Sequence, residues 1–217
     1  MIEAILWDND GVLVDTESLF FAATRDTLAR AEIIVTREAY IDHVLRSGRS
    51  LFDGLLSRGW GTAEIAGLRK ERDAQYAEVL RRANLLIAGA AETVRMLAPR
   101  YRMAIVTSSL RAHLELAHRQ SGILSFFETV VAREDYGKSK PSPEPYLTAM
   151  TRMKLAPERC IAVEDSERGL TAALAAGLRC IIAPNELTRG GAFDAAATIL
   201  PDITALPRVL ALMQGDS

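Results

Sequence analysis

The stretch AILWDNDGVLVDTES, residues 4–18, ends an apolar run in two acidic side chains, Asp8 and Asp10, with Asn9 between them and Gly11 behind. Residues 2–7 read as a short buried strand with Glu3 near its start. Carboxylates this close repel each other and resist burial. A turn before glycine needs neither of them, so a compensating positive charge is expected at the mouth of this strand.

Working outward, residues 16–85 change character and carry helical periodicity with almost no strand signal. In residues 62–83, Ile65, Leu68, Tyr76, Val79, Leu80 and Ala83 fall on one side and the charges on the other. Residues 19–31 and 37–45 follow the same rule. Beyond IAGA (87–90) short apolar runs alternate with helical ones. Strands are expected at 102–107, 128–132, 160–164, 179–183 and 197–200, and helices near 91–98, 110–121, 143–153 and 166–176. Ser142–Pro143 reads as a helix start, and Gly177 as a C-terminal cap. The expected fold is α/β, a doubly wound parallel sheet with Rossmann-like winding and helices on both faces. An all-helical segment is inserted after its first strand. The expected division is a core of residues 1–15 and 87–217 and a helical cap domain of residues 16–86.

Ligands of such sheets bind beyond the carboxyl ends of the strands. Asp8 and Asp10 follow the first strand, Thr107 and Ser108 the second, and Glu164 and Asp165 end CIAVED. Lys140, in GKSKPSP, reaches the same rim. Acids from two strand ends make a hard, oxygen-rich site suited to Mg²⁺, which allows clustered carboxylates to stay ionised. A lysine, a threonine hydroxyl and loop N–H groups near residues 9–11 and 108 suit phosphate. Together these groups point to phosphoryl transfer.

The chain has 217 residues, 49% hydrophobic and 25% charged, enough for one large or two modest domains. Its 26 basic and 28 acidic residues give a net charge of −2, and neither nucleic acid nor an anionic membrane is expected as a partner. There is no run of about 18 apolar residues and no basic start with a cleavage site, so a cytoplasmic location is expected. Cys160 and Cys180 each open an apolar run and read as buried thiols in neighbouring strands.

Four elements resemble the haloacid dehalogenase superfamily, in particular the branch of β-phosphoglucomutase and small sugar-phosphate phosphatases. DNDGVLVDTE is similar to its first motif, VTSS (106–109) to its second, SKPSPEPY (139–146) to its third and VEDSERGLTAALAAG (163–177) to its fourth. The resemblance covers essentially the whole chain. It implies Asp8 as the nucleophile that forms an aspartyl-phosphate. It implies Asp10 as general acid/base, protonated for the first step above the reference of ~3.9. Mg²⁺ is then held by Asp8, Asp10 through its carbonyl, and Asp165, with Glu164 beside or behind. Thr107, the Ser108 amide and Lys140 hold the phosphoryl oxygens. Lys138 competes with Lys140, which is preferred for its place before Pro141. Glu164 and Asp165 also read as caps of the helix at 166, and Thr107 as either a cap or a ligand.

The resemblance makes the insert a cap that closes over the site on hinges near 14–16 and 86–90, with Gly89 as a pivot. The mutase subgroup carries a histidine on the first cap helix, and Phe20 stands at that place here. A phosphatase acting on a small phosphorylated metabolite is therefore the first reading. A phosphohexomutase is the alternative, and a non-catalytic phosphometabolite-binding relative ranks behind it. A dehalogenase is disfavoured by Asp10 and the Glu164–Asp165 pair. Arg46, Arg49 and Arg72 are candidate substrate contacts of the cap, or solvated charges. His43, His113 and His118 lie on expected helices and read as surface or packing residues. Asn9 and Trp7 depart from the family's apolar residue and Phe, and IAGA lacks the proline common at the second hinge. Asn9 either packs beneath the site or reaches a polar cap group.

Overall fold

The computed structural model describes residues 1–82 and 84–215. Strand β1 (Ala4–Trp7) is buried along its whole length. The insert follows as α1 (Glu17–Ala29), α2 (Arg37–Tyr40) and α3 (Thr62–Leu80). The helix expected at 37–45 begins as α2 and widens to π-type bonding over Ile41–Arg46, and a 3₁₀ segment covers Leu51–Arg58. Ala83, expected on the apolar side of the third helix, lies outside the described residues. The chain continues through α4 (Ala90–Leu97), β2 (Arg102–Val106), α5 (Arg111–Ala117) and β3 (Thr129–Val131). It ends with α6 (Glu144–Met153), β4 (Cys160–Glu164), α7 (Glu167–Ala175), β5 (Arg179–Ile182), β6 (Thr198–Ile199) and α8 (Leu206–Gln214).

The strands lie in the order β3-β2-β1-β4-β5-β6, every pairing parallel. Trp7 is in register with Ile105 on one side and Val163 on the other, so β1, β2 and β4 end level. Side chains alternate across a strand, and here both faces are apolar. Ile5, Trp7, Ile105 and Val163 pack under Val94, Leu206 and Leu210. Ala4, Leu6, Ala104 and Ala162 pack under Tyr146, Met150 and Leu170. Cys160 and Cys180 are free, buried thiols. The order reverses between β1 and β4, which places a crevice beyond their carboxyl ends.

The insert has its own apolar cluster, including Leu28, Tyr40, Phe52, Leu55 and Ile65. The two connections to it run side by side, with Asp15 N donating to Leu85 O at 2.8 Å and Ile87 N to Leu13 O at 3.0 Å. Gly89 has φ +79°, and a Cβ there would stand 2.3 Å from Thr204 Cγ2. It is therefore held in close packing against the core. The insert docks on the core through Arg37–Glu186 at 2.8 Å and Arg46–Glu167 at 3.0 Å.

Candidate active site

The chain turns sharply after β1. The Asn9 carbonyl accepts from the N–H groups of Val12, Leu13 and Val14 at 3.3, 2.9 and 3.1 Å. Gly11, with φ +85°, allows this, and a Cβ there would stand 2.3 Å from Asp165 Oδ2. The turn brings the carboxylate of the buried Asp8 over the level ends of β1 and β4. Lys140 is buried beneath it. Its ammonium donates to Asp8 Oδ1 at 2.8 Å, Glu164 Oε1 at 2.6 Å and Val106 O at 2.8 Å. Lys138 is exposed. The Tyr146 hydroxyl also donates to Glu164 Oε1, at 2.6 Å. Gly169 leaves room for that carboxylate, because a Cβ would stand 1.9 Å from Glu164 Oε2.

Asp165 Oδ2 accepts from Asn185 Nδ2 at 2.7 Å. Oxygens of Asp8, Glu164 and Asp165 all lie within 4.8 Å of one another. Three buried carboxylates against one ammonium leave an excess of two negative charges. Burial, then the Glu164 charge, push the Asp8 carboxyl up to about 7 against the pull of Lys140. Burial, Asp8 and Glu164 push Asp165 well above the ordinary range. A divalent cation fits this donor set and balances its charge. Asp8 and Asp165 have oxygens to offer it, whereas one oxygen of Glu164 is engaged from behind by Lys140 and Tyr146.

The Asp10 carboxylate is not in that cluster. It accepts from Thr16 Oγ1 at 2.6 Å, Thr107 Oγ1 at 2.9 Å and Ser109 Oγ at 2.9 Å. Thr107, expected on the phosphate, is turned onto Asp10 and also accepts from Ser109 N at 2.9 Å. Ser108 lines the cleft with its Oγ buried and unpartnered, a donor suited to an incoming anion. The cap of α7 is Ser166, whose Oγ accepts from Gly169 N at 3.3 Å, so Glu164 and Asp165 do not cap it. Ser142 lies one residue before the N-cap Pro143, so α6 starts slightly later than its signal suggests.

Above Asp8 and Asp10 lies a cleft of about 360 Å³ between the sheet edge and the insert. Arg49 and Arg72 line it. Arg49 Nε donates to Ser47 Oγ at 3.0 Å. Arg72 pairs with Asp73 at 2.7 Å and lies over the Phe20 ring, 4.5 Å from its centroid. Arg46 does not line it. It is fixed on the outer flank by Asp42 at 2.6 Å and Glu167 at 3.0 Å, which corrects its reading as a substrate contact. Gly48 brings the neighbouring loop against the core, where a Cβ would stand 2.6 Å from Lys140 O.

Several residues were missed in the sequence. Ser109 sits inside the quoted VTSS, and Glu17 inside the quoted DTE. Asn185 follows β5, a strand end that carried no acidic signal. Glu17 is buried and accepts from the Tyr40 hydroxyl at 2.5 Å. His113 is buried on the cleft wall, edge-on to Tyr76 with centroids 5.0 Å apart. His43 is exposed. His118 Nε2 lies 2.7 Å from Asn9 Oδ1, so Asn9 packs beneath the site and does not reach the insert. Burial lowers the His118 imidazole to about 4. Trp7 is accommodated edge-on to Phe127 with centroids 6.5 Å apart.

Among the described residues, no helix is long and apolar enough to cross a membrane. The family model for haloacid dehalogenase-like hydrolases matches residues 5–183. The chain is 33% identical to Protein CbbY of Rhodobacter capsulatus over 215 residues, covering 94% of this chain and 95% of that one. It is 28% identical to a phosphorylated carbohydrates phosphatase of Thermotoga maritima, covering 83% and 84%. A crystal structure of CbbY from Rhodobacter sphaeroides in complex with xylulose-(1,5)bisphosphate superposes with a TM-score of 0.84 at 29% identity, covering 95% and 96%.

Proposed function

The chain belongs to the haloacid dehalogenase-like hydrolases and acts on phosphoric monoesters; from that premise we propose that its substrates are small phosphorylated sugars, cleaved with Mg²⁺ through an aspartyl-phosphate. The observation that carries this reading is the Asp8 carboxylate. It is paired with Lys140 and within 4.8 Å of Asp165 and Glu164, at the floor of a cleft walled by arginines.

Asp8 attacks phosphorus as the ester P–O bond breaks, and Asp10 gives its proton to the departing sugar oxygen. Asp10 then takes a proton from water, which attacks phosphorus and releases Asp8. Two easier steps replace one difficult hydrolysis. Lys140 and Ser108 hold phosphoryl oxygens. Thr16, Thr107 and Ser109 hold Asp10 in place for its proton transfers. Mg²⁺ on Asp8, the Asp10 carbonyl and Asp165 would offset charge on the phosphoryl group. In this reading residues 1–15 and 87–217 are the catalytic core, and residues 16–86 are a cap that closes on the paired connections and excludes water. A cytoplasmic location accompanies it.

Arg49 has no acidic partner among the described residues, and a structural neighbour binds a sugar bisphosphate, so bisphosphates belong in the test panel. The experiment is phosphate release from sugar mono- and bisphosphates with Mg²⁺. Turnover that Asp8→Asn reduces by more than about a thousandfold supports the reading. Binding without turnover supports a sensor instead. Isomerisation of glucose 1-phosphate faster than its hydrolysis supports the mutase alternative.

A further inference from the structure

Arg168 lies in the first turn of α7, two residues after the Ser166 cap, and lines the cleft beside Asp8 and Glu17. Its Nε is buried and has no hydrogen-bond partner. Among the described residues no carboxylate lies within the 4 Å of an ion pair with it. Two cleft arginines of the insert, Arg69 and Arg72, differ. Arg72 pairs with Asp73 at 2.7 Å and Arg69 with Asp53 at 2.8 Å, so their charges are answered within the protein. Arg168 is half-buried, and a buried Nε that donates to nothing costs stability. The fields of Glu17 and Asp8 hold it charged without touching it.

Glu17 shows the complementary deficit. One of its oxygens accepts from the Tyr40 hydroxyl, which leaves the other free to accept from a ligand in the cleft that Glu17 lines. Glu17 and Arg168 together are neutral, so they do not call for an anion. An unfilled donor beside an unfilled acceptor matches neighbouring oxygens on a polyol, one accepting and one donating.

We infer that Arg168, with Glu17 held by Tyr40, is the specificity-determining subsite that reads the hydroxyl-bearing carbons of the leaving sugar. This rests on the sugar-phosphatase reading above. The Lys140 and Ser108 donors grip the phosphoryl group of any monoester, whereas Arg168 touches only the part that differs between esters. A hydrogen bond from a charged group contributes about 1.5–3 kcal/mol, or about 10–100-fold in kcat/KM.

The test compares Arg168→Met and Arg168→Lys with the parent on two substrates, the best sugar phosphate of the panel and p-nitrophenyl phosphate, which carries no hydroxyls. Thermal unfolding establishes that each variant is folded. Arg168→Met is expected to lower kcat/KM on the sugar phosphate by about 10–100-fold and to leave p-nitrophenyl phosphate within about 3-fold. Arg168→Lys recovers part of the loss on the sugar ester. Equal losses on both esters, or none on either, overturn the inference. If Arg168→Met fails to fold, Arg168→Lys and Glu17→Gln carry the same comparison of the two esters. A parent that hydrolyses p-nitrophenyl phosphate but no sugar phosphate sinks the proposed function itself, a different result from a non-selective Arg168 variant.

Discussion

Replacing Lys140 with methionine keeps the length of the side chain and removes its charge. The ammonium is 2% exposed and makes three contacts of 2.6–2.8 Å, two of them to carboxylates. Removing one partner of a buried pair costs about 3–5 kcal/mol, because the remaining charge is uncompensated. For a chain of this size each kcal/mol moves Tm by about 2–4 °C. The expected drop is therefore about 6–20 °C in chelator at pH 8. The deficit is expected to shrink at pH 5. Without the lysine, the Asp8 carboxyl rises further above its ordinary value, so the folded state keeps a proton that the unfolded chain has already released. Stability then falls as pH rises. Adding Glu164→Gln to the Lys140→Met protein removes one of the stranded charges and is expected to recover part of the loss. The assay is differential scanning calorimetry of the three proteins at both pH values. A Lys140→Met protein within about 2 °C of the parent at pH 8 would refute the charge balance on which the site is built.

Three further outcomes follow from particular contacts. Gly11→Ala forces a side chain onto a backbone with φ +85° and places Cβ 2.3 Å from Asp165 Oδ2, so hydrolysis is expected to fall at least about tenfold; an unchanged kcat/KM contradicts the packing. Mg²⁺ at about 100 times its Kd is expected to stabilise the parent by about 2.7 kcal/mol and Asp165→Asn far less, measured as the Tm shift on adding Mg²⁺ to chelated protein; equal shifts in both count against Asp165 as a ligand. His118 is held neutral with its folded value lowered to about 4, so the unfolded chain takes up the proton first on acidification. Stability is therefore lost as pH falls from about 6.5 to 4, by about 3 kcal/mol, and an Asn9→Leu/His118→Leu double variant should lack that slope in urea titrations.

The fold was legible because its signals are local. Trp7, Ile105 and Val163 belong to short apolar runs, and Gly177 marks where the helix after β4 stops. The acids at the strand ends were legible too, since buried strands do not end in Asp8 or Glu164–Asp165 without a reason. What escaped is set by distance in the chain. Ser109 and Thr107 reach Asp10 across 99 and 97 positions, and no spacing rule links them. Asn185 reaches Asp165 from a loop whose sequence, PNEL, reads as an ordinary turn. Arg46 ends the helical segment Ile41–Arg46, and Arg49 lies three residues on in the loop that follows. Only the route of the chain through Gly48 decides that Arg49 faces the cleft and Arg46 the flank.

The two kinds of carboxylate in the cluster also divide their work by position. Glu164 closes β4 and is fixed from below by Lys140 and Tyr146 at 2.6 Å each, with Gly169 leaving no spare room. It has little freedom to rearrange, so it serves as a fixed negative charge that keeps Lys140 protonated and in place. Asp8 shares the same lysine through Oδ1 alone, which leaves its second oxygen free at the cleft floor. Asp165 lends Oδ2 to Asn185 and keeps Oδ1. One free oxygen on each of two strand ends, above a lysine that a third acid has already anchored, is an arrangement in which a cation can bind without displacing any protein hydrogen bond. Under the proposed mechanism the lysine and a cation would pull on different oxygens of Asp8, which would orient the proposed nucleophile from both sides before substrate arrives.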